Sequence, residues 1–166
     1  MIEIIAAAAA VLGDQLFKNW IVKVFAGMPA DHTRRIFPGL IHLTYVENRG
    51  ASFGMLKGFG WLFLVIAAAF AALVIWALVT KRLKNPFSRW AAAAVMAGAL
   101  GNAIDRIARG YVVDMFEVEF MNFAVFNIAD IFITLGGIAF CAWLLWEEAR
   151  KKKSGSSDED TENKSE

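Results

Sequence analysis

Cysteine occurs once in 166 residues and histidine twice, and 17 Lys and Arg against 16 Asp and Glu leave a formal net charge of only +1. The single cysteine, Cys141, can form neither an internal disulfide nor a thiolate metal cluster, and its apolar surroundings mark it as a small interior residue. His32 and His42 stand ten residues apart with no metal-ligand spacing of the H-E-x-x-H kind, and neither adjoins a Ser or Cys in a pattern that would make it the base for a nucleophile. No basic field argues for a nucleic-acid partner. The N-terminal stretch MIEIIAAAAAVLGDQLFKNW lacks the basic n-region of a cleavable leader, so it reads as a retained first membrane helix.

What the chain has in abundance is apolar residues, 58% of the total, where an ordinary soluble domain has about half. A membrane helix needs about 20 mostly apolar residues to cross a core of about 30 Å. The pattern predicts four such helices, at about 2–25, 59–80, 90–108 and 128–146. The second is free of charge. The third acquires Asn102, Asp105 and Arg106 toward its end, which must therefore face protein or water. In the first, Asp14 and Lys18 share a face at i, i+4 and can pair. Four of the nine residues in KRLKNPFSR are basic and RKKK follows the fourth span, which places both termini in the cytoplasm by the positive-inside rule. Residues 27–58 and 109–126 then form the outer loops, where LIHLTYV and MFEVEF suit short strands with Pro38, Gly39, Asn48 and Gly50 at turns. The expected fold is a four-helix membrane domain over 1–147 with a small extracytoplasmic sheet, followed at 148–166 by a polar, acidic cytoplasmic tail without structure. The inner helix ends are expected to carry only surface charge.

Under this topology Asp14, Lys18, Asn102, Asp105, Arg106, Asp114, Asn127 and Asp130 gather toward the outer end of the bundle. Gly98 and Gly101, with Ala94, would let a neighbouring helix come close. Ordinary explanations exist for most of these residues. Asn127 followed three residues later by Asp130 matches a helix N-cap with an acid at N3. Asp14 with Lys18, and Asp105 with Arg106 or Arg109, fit structural ion pairs. Asp114 has no adjacent cation. Two carboxylates in a poorly solvated site cannot both ionise cheaply, so the pair offers an acid and a base at once. Asp114, placed in the last outer loop, and Asp130, at the start of the last helix, are the uncommitted acids near the outer boundary. Glu117 and Glu119 occupy the expected solvent face of a strand. The pair would activate water against a peptide carbonyl. Intramembrane carboxylates also mark ion paths, so a small transporter or proton-conducting protein stands as the alternative.

DQLFK (Asp14 to Lys18), ENRGASFG (Glu47 to Gly54), AGALGNAIDR (Ala97 to Arg106), GYVVDMF (Gly110 to Phe116) and FNIAD (Phe126 to Asp130) occur in this order. On these motifs, residues 1–147 resemble the lipoprotein signal peptidases, also called signal peptidase II, a bacterial family of intramembrane aspartyl proteases. The resemblance implies that Asp114 and Asp130 are the catalytic dyad and that no metal or cofactor is needed. It further implies a multi-pass protein of the bacterial inner membrane whose active site faces outward. The implied substrates are diacylglyceryl-modified prolipoproteins, cut immediately before the modified lipobox cysteine. Membrane lipids surround the enzyme, and a monomer suffices. Asp14, Asn48, Asn102, Arg106 and Asn127 carry over as polar groups orienting substrate and dyad, with Lys18 and Asp105 beside them. Gly50 would serve a turn with Phe53 packed beneath it. Ala97 stands where many members have glycine, and Met115 replaces a frequent Phe; both changes bear on packing and loop contacts, away from the dyad.

Overall fold

The computed structural model describes the backbone of residues 1–29, 32–50 and 59–162 and the side chains of those up to 152. Helices α1 (Ile2–Phe25), α2 (Gly60–Val79), α3 (Pro86–Arg109) and α4 (Ile128–Glu162) accompany strands β1 (Arg34–Phe37), β2 (Ile41–Asn48) and β3 (Val112–Val118). The protein is thus mainly helical with one small sheet. Phe53, expected beneath the Gly50 turn, lies outside the described residues.

Helix α1 keeps the expected bounds, and its buried residues Glu3, Ala7, Asp14, Lys18, Ile21 and Phe25 recur at three- to four-residue steps along one stripe. The chemistry of that stripe is inverted relative to a soluble protein. Charged side chains are inside, while Ile5, Leu12, Leu16 and Trp20 are exposed. Helices α2 and α4 continue the pattern, with exposed Val65, Leu73, Trp76, Leu135, Ile138 and Leu145. An apolar exterior of this extent suits lipid. By length and apolarity alone, Gly60–Val79 and Ile128–Lys152 qualify as spans. Helices α1 and α3 fall short because the polar residues of the interior lie on them.

Helix α3 begins at Pro86, four residues before the expected start. Asn85 caps it, its Oδ1 accepting from the N–H groups of Phe87 at 2.8 Å and Ser88 at 3.4 Å, with Pro86 at the first helical position. Gly110, at φ 79°, ends it in the left-handed region and donates its N–H to the Arg106 carbonyl at 3.1 Å. Strand β3 starts two residues later, so Asp114 belongs to a strand and not to a loop as expected. The sheet is antiparallel in the order β1-β2-β3. β2 pairs with β3 through Ile41 with Val118 and Asn48 with Val112. Strand β1 was not anticipated; it pairs with β2 across the Pro38–Gly39 turn and is exposed throughout. Ile21 and Phe25 of α1 form a core with Leu43, Val113 and Met115, which seats the sheet on the end of the bundle.

Two further expectations are corrected. Helix α4 passes its expected end at Trp146 and continues through the tail to Glu162. The segment has no proline, and Lys151 and Lys152 reach back one turn to Glu147 and Glu148. The end of the bundle away from the sheet, expected to carry only surface charge, also holds a partly buried ion pair. Glu3, 6% exposed, pairs with Arg89 at 2.7 Å and with the N-terminal ammonium at 3.0 Å.

Helix α3 touches α1, α2 and α4. Its approach to α4 is set by two glycines facing in opposite directions. A Cβ on Gly98 would collide with the Ala129 carbonyl oxygen, and one on Gly136 would stand 2.9 Å from the Ala91 carbonyl oxygen. Gly98→Ala is therefore expected to destabilise the protein by about 1–3 kcal/mol through overpacking. Gly13→Ala, which meets nothing within 4 Å, should be neutral or gain about 0.5–1 kcal/mol of helix stability. Thermal unfolding of both variants in one detergent checks the contrast, and equal midpoints would refute the close-approach argument.

Candidate functional site

Asp114 enters from β3 and Asp130 from the first turn of α4, and both line one cavity of about 700 Å³. Asn48, Gly50, Asn102 and Arg106 line it too, with Phe63, Ile66, Val95, Ile131 and Leu135 among its apolar walls. Each Asp is held on both oxygens. Asp114 Oδ1 accepts from Asn127 Nδ2 at 2.6 Å, and Oδ2 accepts from Asn48 Nδ2 at 2.9 Å. Asp130 Oδ1 accepts from Asn102 Nδ2 at 2.8 Å, and Oδ2 from the Asn127 backbone N–H at 3.1 Å.

The second of these contacts is half of a reciprocal cap. Asn127 Oδ1 accepts from the Asp130 N–H at 2.9 Å, so the Asn127–Asp130 spacing does produce the capping arrangement. The same asparagine nevertheless serves Asp114 through its Nδ2. Capping and site organisation are thus two uses of one side chain.

Arg106 reaches across the cavity mouth. It donates to the Gly50 carbonyl at 3.0 Å and to the Asn102 carbonyl at 3.2 Å, and its guanidinium lies 4.6 Å from the centre of the Phe63 ring. Asn48 Oδ1 accepts from the Gly50 N–H at 3.0 Å, so the Gly50 turn is held from both sides.

Asp14, Lys18 and Asp105, expected among the groups that orient substrate and dyad, form a buried cluster behind the cavity and do not line it. Lys18 Nζ is 2.9 Å from Asp14 Oδ2 and 3.0 Å from Asp105 Oδ2. Arg109 pairs with Asp105 Oδ1, as the i, i+4 spacing anticipates. Gln15, not singled out from the sequence, donates to Asp14, to Asp105 and to the Gly101 carbonyl, all within 3.2 Å. Asn19 accepts from Arg109 at 2.7 Å. Their positions beside Asp14 and Lys18 in DQLFKN were the available signal. His42 pairs with Glu117 at 2.8 Å, and Glu119 accepts from the Gly39 N–H at 2.8 Å, both away from the dyad.

Burial is the main cause that pushes the Asp114 carboxyl up to about 6, and the Asp130 carboxylate adds to it. The Asn48 and Asn127 amides and the Lys18 ammonium oppose the rise by favouring the ionised form. A carboxyl tuned toward neutrality beside a second one can exchange a proton with water in a poorly solvated cavity.

The family model of signal peptidase (SPase) II matches residues 6–146. The lipoprotein signal peptidase of Lactococcus lactis subsp. cremoris is 36% identical over 154 residues, which covers 91% of this chain and 98% of that protein. That of Streptococcus pneumoniae is 41% identical over 138 residues, covering 81% and 86% respectively. A solved bacterial membrane enzyme, obtained in meso at 2.3 Å, superposes with a TM-score of 0.80 at 30% identity and covers 90% of each chain. A second, at 1.9 Å, gives 0.75 at 31% identity, covering 86% of this chain and 92% of that one.

A titration of Asp114 followed by its carboxyl 13C shift is expected to have its midpoint near pH 6. Asn48→Ala removes a donor to the ionised form and should raise that midpoint, whereas Asp130→Asn removes a neighbouring negative charge and should lower it. Movement in neither variant would contradict the coupling of these groups.

Proposed function

The chain belongs to the signal peptidase II family, a family of bacterial membrane proteases, and from that premise we propose that it removes signal peptides from prolipoproteins with Asp114 and Asp130 as its catalytic dyad. The observation that carries the reading is that the two carboxylates, brought from β3 and α4, open onto one largely apolar cavity with amide donors on their oxygens. One carboxylate takes a proton from water, and the water oxygen attacks the scissile carbonyl. The other donates a proton to the departing nitrogen as the C–N bond breaks. The signal peptide leaves as a carboxylic acid and the modified cysteine as a free amine. No covalent enzyme intermediate is formed, and the shared proton belongs to the pair.

Arg106, Asn48 and the Gly50 turn orient the substrate backbone at the cavity mouth, while Asn102 and Asn127 hold the dyad. The cut falls immediately before the diacylglyceryl-modified lipobox cysteine, whose lipid stays against the apolar walls contributed by α2 and α4. All four helices span the inner membrane, with the termini in the cytoplasm and the site toward the outer face. Lipids solvate the bundle. One catalytic set in one chain suffices for activity as a monomer. Polar groups along the membrane depth would be needed for an ion path. Instead the Glu3–Arg89 pair stands apart from the dyad, with an apolar cluster of Ala7, Ala93, Met96 and Ala97 within the bundle.

Asp114→Asn and Asp130→Asn are each expected to lower kcat by at least about 10³-fold while the protein remains folded. Purified enzyme, assayed on a diacylglyceryl-modified precursor and its unmodified twin, checks both residues and specificity. Near-normal turnover in either variant would remove the dyad, and equal cleavage of the two precursors would remove the lipid requirement.

A further inference from the structure

Lys18 has no task in the chemistry just described. It is 0% exposed, and it does not line the cavity. An ammonium has three donors and no acceptor, and here each donor has a separate destination: Asp14 Oδ2 at 2.9 Å, Asp105 Oδ2 at 3.0 Å and Asn102 Oδ1 at 2.9 Å.

The two carboxylates lead to the two halves of the dyad. Asp14 Oδ1 accepts the backbone N–H of Ala129 at 3.1 Å, the residue immediately before Asp130. Asp105 Oδ2 accepts the backbone N–H of Val113 at 3.1 Å, the residue immediately before Asp114. Lys18 therefore ties together two acids that each grip the main chain one residue ahead of a dyad aspartate. Its third donor controls an orientation. Because Lys18 can only donate, Asn102 must turn its oxygen toward the ammonium and its Nδ2 toward Asp130. Asn127 Nδ2 also donates to that oxygen, at 3.2 Å, as well as to Asp114. A reversed Asn102 amide would set its carbonyl oxygen against the Asp130 carboxylate.

We propose that Lys18 is a positioning residue of the peptidase, fixing the separation of Asp114 and Asp130 through Asp14 and Asp105 and the donor polarity of Asn102 and Asn127 through its third proton. The inference rests on the dyad reading above. Lys18 acts at a distance from substrate, so its removal should be felt in turnover and in proton affinity and not in substrate binding.

Lys18→Met is expected to lower kcat on the lipidated precursor by about 100-fold, the scale of a misplacement near 1 Å, with KM within about threefold. The acid limb of the rate profile should also move to higher pH. Asp114 faces Asp130 from α4, Arg106 from α3, Asn48 from β2, Asn127 ahead of α4 and Lys18 from α1; Arg106 and Lys18 are the cations among these that favour its ionised form, and the variant removes one of them. If Lys18→Met does not fold, Lys18→Met with Asp14→Asn balances the buried charge and keeps an acceptor for the Ala129 N–H; it is read in the same way. Wild-type kcat with an unmoved acid limb in a folded variant would overturn the proposal, as would a loss confined to KM. Asp114→Asn runs beside them: if it stays active the dyad reading has failed, and if it is inactive while the Lys18 variant is normal, only the present inference has.

Discussion

A charge inside an apolar bundle is tolerable only when each of its hydrogen-bonding positions is met, since desolvation costs several kcal/mol per ion and a missing partner costs about 3–5 kcal/mol. Lys18, Asp14, Asp105 and Arg109 satisfy that condition together, two positive groups against two negative ones, with Gln15, Asn19 and two backbone N–H groups completing the coordination. The requirement reaches into the backbone. A Cβ on Gly101 would stand 2.8 Å from Asp14 Oδ2, so the absence of a side chain there makes room for the carboxylate between α1 and α3. Among the described residues, the one buried side-chain polar atom without a partner is Trp143 Nε1, far along α4 from this cluster.

Where lipid surrounds a protein, apolar burial supplies little preference for one helix arrangement over another, and close packing with internal polar bonds must supply it. Helix α3 shows both. Its Gly98 admits the main chain of α4, and its Asn102 and Asp105 bond to α4, α1 and β3. Helix α2, whose interior positions are Ala67, Ala71, Val74 and Leu78, contributes packing and the Phe63 ring beneath Arg106. That division bears on hydropathy as well: α1 and α3, which carry most of the interior polar residues, are less apolar than α2 and α4, where Asp130 sits at the very start of the apolar run.

Much of this was legible in the sequence because it is local. The bounds of α1 followed from an apolar stretch in which Asp14 and Lys18 could pair at i, i+4, and the Asn127–Asp130 cap from a three-residue spacing. Asn85 followed by Pro86 is an equally local helix start; the basic residues around it drew the reading toward a loop. Strand β1 carries two arginines and no buried position, so alternation gave no sign of it. What could not be read locally is the direction of an amide. Whether Asn102 offers its nitrogen or its oxygen to Asp130 depends on Lys18, 84 residues earlier in the chain, and no spacing rule carries that information. Likewise, spacing suggested the Asp14–Lys18 pair but not that Asp14 would spend its second oxygen on the main chain beside Asp130.

The proposed dyad needs two conditions that pull in opposite directions. Proton sharing demands poor solvation, yet hydrolysis consumes water. The two aspartates divide these demands. Asp114 is 2% exposed, set in a strand whose neighbours Val113 and Met115 are fully buried, whereas Asp130 is only half-buried on the first turn of a helix. Holding a strand residue against a helix residue requires that β3 and α4 be fixed to one another. The pairing of Phe116 with Phe126 does this across the loop between β3 and α4, and the Asp105 and Asp14 grips do it from beneath. Asn127 then spans the join, bonded to Asp130 by its cap and to Asp114 by its amide. A displacement of α4 along α3, against Gly98 and Gly136, would shift Asp130 relative to Asp114 and strain the Asn127 bonds that link them.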